Sequence, residues 1–285
     1  MRRIVPIAAV VALTCLAAWN QRARAASADQ AVLDADHAFA QAIAGHASTD
    51  LRGLLDVDFS WTDSAGNTED RATVLKQIPT PAIADKGGAE TKERTYGDVG
   101  VVTVNQGKVY ALRVWVKRPA GWRVLLYHEV TQMQNPPKGG GTGVSNCQNP
   151  CKMIPYKAKN ADEAAIIASW QALETGVTGH SSEAWRPHIA EEFVQVSSNN
   201  DHPLNKDARA AVLDRQKQSG EPSAPAPLVS ARMYDFGDAV VMKAEHQPYK
   251  GKPIHVSRVW VKRDGQWVMA ISYQTTVQSA PSKGA

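Results

Sequence analysis

Three side chains offer this 285-residue chain its chemistry: Asp36, Asp63 and His128. Asp63 closes the run FSWTD just before Ser-x-Gly. A carboxylate whose pKa is raised in an apolar pocket can carry a proton between two atoms of a substrate. An Asp in that setting is also an ordinary turn former, accepting from the backbone ahead of it. Asp36 lies among Val32, Phe39 and Ile43, which recur at helical spacing. A carboxylate on that inward stripe is costly unless paired, so it needs a partner or a task, unless a slight helix rotation takes it to the wet edge. His128 alternates with Trp122, Val124, Leu126 and Val130 along one strand face. It is there either as a satisfied core residue or as a functional group that donates to a developing oxyanion or shares a proton with Asp63. With Phe39, Trp61, Trp122 and Leu126 as apolar walls, these groups would make a site for a small apolar or carbonyl-bearing molecule.

Other chemistries lack their residues. Eight histidines without HxH or HExxH spacing give no metal site. No GxSxG, P-loop or GxGxxG stretch places a nucleophile or a nucleotide, so no cofactor is expected.

The first residues read as a separate unit. MRR is a cationic start, and IVPIAAVVALTCLAAW is an apolar run too short to span a bilayer comfortably. Small residues for cleavage follow at 23–25 (ARA) and 26–28 (ASA), so residues 1–28 read as a secretory signal peptide and the protein as exported, periplasmic or extracellular. A lipoprotein reading through Cys15 fits less well, because ALT precedes that cysteine. Arg2, Arg3, Arg22 and Arg24 leave with residues 1–25 and no acid does, which takes the formal charge from +4 to 0. The mature chain therefore has no general attraction for nucleic acid or an anionic membrane. Its remaining cysteines, Cys147 and Cys151, are expected to close the CQNPC loop as one disulfide in an oxidising compartment.

The elements that must position these residues come twice. RVWVKR stands at 113–118 and again at 258–263, 145 residues on. Gly45, His46 and Phe59 answer to Gly179, His180 and Phe193 at 134; RATVL (71–75) answers to RAAVL (209–213) at 138; Gly97–Asp98 answers to Gly237–Asp238 at 140. Offsets that grow only through loop-like stretches mark a duplicated domain. The first copy is expected over 29–132 and the second over 160–278. A Pro/Gly-rich linker at 133–159 joins them, and 279–285 is a tail.

Each copy begins with helical patterns. Ile166, Trp170, Leu173 and Val177 form the second copy's stripe, with Trp170 where the first copy has Asp36. A short second helix, the strand FSWTD and a third helix at DRATVLKQI come next. Strands are expected at 94–104, 109–118 and 122–131, and in the second copy at 229–234, 238–247, 254–263 and 267–277. The class is α+β: two tandem cone-shaped domains, each with two or three N-terminal helices on a curved antiparallel sheet. Within RVWVKR, Arg113, Trp115 and Lys117 share one face, expected to be solvated or sheet-to-sheet, and Val114 and Val116 share the other.

The element order, FSWTDSAG after the second helix and the closing WVKRxxxW hairpin resemble the nuclear transport factor 2-like superfamily, and within it the SnoaL-like and ketosteroid-isomerase-like domains. The resemblance implies a cone whose mouth holds a small apolar ligand, and an intrachain pseudo-dimer made by the tandem copies. It also implies that Asp63 stands where the isomerases keep their proton-shuttling carboxylate. Ser197 holds that place in the second copy. Phe39 falls near the isomerases' oxyanion-donating Tyr and cannot donate, which argues against ketosteroid isomerase activity itself. The functional expectation is ligand binding in the first copy's cone, with isomerase-, cyclase- or dehydratase-like proton transfer. The alternative is a non-catalytic module that binds another envelope protein.

Overall fold

The computed structural model describes residues 29–83, 88–133, 146–220, 225–248 and 251–278. Residues 1–28 with Cys15, residues 134–145 and residues 279–285 lie outside these. The first copy runs α1 (29–44), α2 (Ser48–Leu54), β1 (Leu55–Thr62), β2 (Thr68–Asp70), α3 (Arg71–Lys76), β3 (Glu90–Tyr96), β4 (Val99–Gln106), β5 (Val109–Arg118) and β6 (Gly121–Thr131). The second runs α4 (Ala161–Thr178), α5 (Ser182–Trp185), β7 (Ile189–Ser197), β8 (Leu204–Asn205), α6 (Lys206–Ser219), β9 (Leu228–Asp235), β10 (Ala239–His246), β11 (Ile254–Arg263) and β12 (Gln266–Thr276). Cys147 and Cys151 are joined, with their Cα atoms 5.6 Å apart.

Side-chain caps start the helices that matter most. Asn160 accepts from the Glu163 amide at 2.8 Å to start α4, and Glu163 reaches back to the Lys159 amide. Asn205 does the same for α6 through the Ala208 amide, and Gly220 ends that helix at φ +68°. His46 and His180 both turn the chain at φ 49°, so their recurrence is structural.

Each copy folds a six-stranded sheet, in the orders β2-β1-β6-β5-β4-β3 and β8-β7-β12-β11-β10-β9. The sheets are mixed, which corrects the antiparallel expectation: β1 runs parallel to β6 and β7 parallel to β12, because helices and hairpins intervene before each pair meets. The single strand expected at 94–104 is two, split by a turn where Gly97 takes φ +62°.

A β-bulge decides which way the last strand faces. Across β5 and β6, Val114 pairs with Leu126 and Trp115 with Val124, so the register skips Leu125. The extra residue flips the alternation. Trp122 and Val124 therefore point toward the helices, while Leu126 and Val130 point away, and one face for all five residues of that alternation does not exist. The second copy has the equivalent break at Ala270.

The two sheets meet on those outward faces. Leu112, Val114, Val116 and Leu126 pack with Val241, Val259, Val261 and Ile271 in one core. The contact is reciprocal. Arg118 lies over the Phe236 ring at 5.3 Å and its counterpart Arg263 over Tyr96, the counterpart of Phe236, at 5.5 Å. Equivalent residues meeting each other's patches is the signature of a two-fold contact, here between halves of one chain. The face with Val114 and Val116 is thus the sheet-to-sheet one. Arg113 and Trp115 face inward against their own copy's helices, contrary to the expectation of a solvated or sheet-to-sheet face. Among the described residues, no helix is long and apolar enough to cross a membrane.

Candidate functional site

Asp36, Asp63 and His128 lie in three different environments. Asp63 is a turn residue: its Oδ1 accepts from the amides of Ala65 at 2.9 Å and Asn67 at 2.8 Å, and its Oδ2 from the Asn67 side chain at 2.8 Å. The turn also docks the second copy, since the Gln278 amide donates to the Ala65 carbonyl at 2.8 Å. A Cβ on Gly66 would come within 2.8 Å of the Val277 Cα. An Asp63→Asn variant is expected to lose at most about 1 kcal/mol in thermal or urea melts, the worth of a weakened turn hydrogen bond. A loss of several kcal/mol would show that the carboxylate does more than hold this turn.

His128 lies between the sheets and not in a cone. Its Nδ1 is 2.7 Å from Ser257 Oγ and its Nε2 is 3.1 Å from Thr275 Oγ1, both in the second copy. Its ring meets Tyr273, its own counterpart, at 6.4 Å, as residues near a two-fold axis do. Burial, and then His255, push its pKa down to about 3.

Asp36 is buried and paired. It accepts from Arg113 Nη1 at 2.7 Å and from the Trp115 indole at 3.0 Å. Around that pair the first cone is filled. Trp61 stacks on Tyr127 at 3.6 Å, and Phe39 lies against both Tyr127 and Trp115. The Tyr127 hydroxyl donates to Glu129 at 2.6 Å, and Glu129 also holds the amide of Ala82, seating the buried Ile83 in the core. Phe39, Trp61 and Trp122 are therefore core residues, and Leu126 belongs to the inter-sheet core.

The cavity is in the other copy. It has a volume of about 780 Å³, and its walls include Gln195 of β7, Ser272 of β12 and Arg209 of α6. The offsets explain why it is open. Gln195 stands where the first copy has Trp61, and Ser272 where it has Tyr127. These positions are neighbours across the parallel strand pair in both copies. One stacked aromatic pair has become a Gln beside a Ser, and the space of two rings is left.

Charged groups line this space. Glu174 of α4 accepts from the Trp170 indole at 2.9 Å, and Arg258 Nη2 stands 3.8 Å from it. Burial raises the Glu174 pKa, with Arg258 and the Trp170 hydrogen bond opposing. Arg258 also lies over the Trp170 ring at 4.8 Å and 3.4 Å from His246 Nε2. His246 Nδ1 is 2.8 Å from the Ala226 carbonyl, which places the ring proton there and leaves Nε2 as an acceptor. Burial first, and then Arg258, push the His246 pKa down to about 3, so its ring is neutral. Ser197, at Asp63's place, lies on the wall; Asp63 and His128 have no counterpart carboxylate or imidazole there.

The two copies have thus moved one carboxylate by a helical turn. Asp36 in the first aligns with Trp170, and Glu174 aligns with Ala40. Each acid still meets the inward Arg of RVWVKR and an indole, but the indole is Trp115 of the sheet in one copy and Trp170 of the helix in the other. The Trp260 N–H, counterpart of Trp115, consequently has no partner among the described residues. Glu174, Arg209, His246 and Arg258 are the residues sequence reasoning missed. The available signal was Arg258 itself, since an inward Arg requires an acid and the α4 stripe runs directly beside Glu174. No group of three or more His, Cys, Asp or Glu among the described residues could hold a metal.

No family model matches the sequence, and no curated protein does. Solved structures similar to part of this chain include nuclear transport factor 2-like proteins. One from Cytophaga hutchinsonii is 16% identical, spans 41% of this chain and 98% of its own, and gives a TM-score of 0.34. One of unknown function from Shewanella baltica is 17% identical over 45% of this chain and 100% of its own, with a TM-score of 0.35. A candidate ketosteroid isomerase from Parabacteroides distasonis is 12% identical over 42% and 90%, with a TM-score of 0.34. These likenesses, at 12–17% identity, assign neither a family nor an activity to this chain.

Proposed function

We propose that this chain is an exported SnoaL-like protein whose second copy binds a small molecule in its cone, while the first is a filled structural partner. The observation that carries the reading is the contrast at two aligned positions: Trp61 stacked on Tyr127 in one copy, Gln195 beside Ser272 in the other. A cavity of about 780 Å³ lies within the range of small-molecule sites. Export rests on the leader read from residues 1–28. Any proton-transfer step falls to Glu174, the carboxyl buried on this wall, and not to Asp63 or His128.

The test is to rebuild the plug. A Gln195→Trp/Ser272→Tyr double variant places in the second cone the pair that already packs in the first. Ligand-observed NMR against a library of small organic molecules should give hits with the wild-type chain that vanish in the double variant. The melting temperature should stay near that of the wild type. Hits that survive the plug would move binding elsewhere and end this reading.

A further inference from the structure

We propose that the ligand of the second cone is a small organic anion, a monocarboxylate, held by Arg258 and Arg209; this rests on the cavity reading above. Arg258 is buried, 5% exposed, on the cavity wall. Its counterpart Arg113 makes a 2.7 Å hydrogen bond to Asp36. Arg258 has longer contacts only: 3.8 Å to Glu174, 3.4 Å to His246 Nε2 and 3.8 Å to the Met242 sulfur. A guanidinium offers five donors in a planar fork, and none of those contacts is a short bond to an oxygen. With the acid one helical turn further on, the pair is looser in this copy.

Charge counting points the same way. Glu174 feels two guanidiniums, Arg258 and Arg209, whereas each of them feels Glu174 alone among acids. Arg209 is half-buried on the cavity-facing side of α6, with Ala208 and Val212, and makes no hydrogen bond or ion pair among the described residues. His246, the remaining titratable group at this depth, is neutral and presents a lone pair to Arg258. The exposed Arg215 and Asp201 line the same cavity, and the Asp201 carboxylate is 2.5 Å from His202. Two cations, one buried and one half-buried, against one buried carboxylate leave one positive charge on the cavity wall. A ligand carboxylate supplies the missing charge and two oxygens for a bidentate grip. Ser272 and Gln274, hydrogen-bonded to each other at 3.0 Å, line the same wall and can orient its polar edge.

Matched pairs of probes separate this proposal from the reading beneath it: benzoate with benzamide, 3-phenylpropionate with its amide, and indole-3-acetate with its amide. Titrated into the full chain at pH 7 and followed by NMR, at least one acid should bind about tenfold or more tightly than its amide. Arg258→Gln should abolish that preference. Arg209→Gln, which removes the second of the two cations, should weaken the acid by about tenfold and spare the amide. Glu174→Gln should tighten the acid, an effect a merely structural carboxylate would not produce. Amides that bind as well as acids, in a cavity still blocked by Gln195→Trp/Ser272→Tyr, overturn the anion proposal and leave the cavity reading standing. If neither series binds up to about 10 mM, both fall.

Discussion

Replacing Asp36 by Ala is expected to cost about 3–5 kcal/mol, a large share of the roughly 5–15 kcal/mol that holds an ordinary domain together. The carboxylate is buried, and it accepts from Arg113 at 2.7 Å and from the Trp115 indole at 3.0 Å. Removing it takes away the charge that balances a guanidinium packed among Phe39 and Tyr127. The penalty is mainly that of a buried cation, so removing the cation as well should restore much of the loss. Asp36→Ala/Arg113→Met is therefore expected to be more stable than Asp36→Ala alone, by about 2 kcal/mol or more in urea melts. A double variant no more stable than the single would show that the two charges are not coupled.

In acid, the wild-type chain should lose stability faster than a His128→Gln variant. An unfolded imidazole takes up its proton near pH 6.5, whereas His128 between the sheets resists until about 3. Between those values unfolding takes up a proton, so stability is full above about 6.5 and falls as pH falls, by about 1.4 kcal/mol per unit. At pH 5 the variant should have lost about 2 kcal/mol less than the wild type, relative to pH 7. His246 acts with the same sign. Glu93 acts against it, because burial and then Asp29 raise its carboxyl to about 7, and the folded state holds that proton down to the ordinary range. Comparing two chains that differ only at position 128 cancels both. Equal losses in the two chains would place the folded His128 near its ordinary pKa and sink the account.

Much of the architecture was legible. The duplication followed from RVWVKR and the growing offsets, and the α+β class from two helical stripes ahead of a run of strands. What was hidden depends on contacts distant in sequence. Nothing in FSWTD says that its strand will lie parallel to the last one of its copy, because that pairing closes only after the whole sheet has formed. The bulge at Leu125 carries no Gly or Pro to mark it, so alternation read straight through 122–130 assigned His128 to the wrong face. The site was harder still. Comparing the copies was the right device, and it drew attention to Asp36, Asp63 and His128. The columns that open the cavity were Trp61 against Gln195 and Tyr127 against Ser272. Each reads alone as an unremarkable exchange, and they matter together because they touch across the parallel pair.

The reciprocal clasps, Arg118 on Phe236 and Arg263 on Tyr96, have a consequence for how the protein withstands dilution. Subunits that pair through such a face separate by mass action when they become scarce. Here both halves belong to one polypeptide, so their union is a first-order event whose balance is indifferent to the amount of protein present. A molecule built this way keeps its two-sheet core however thinly it is spread.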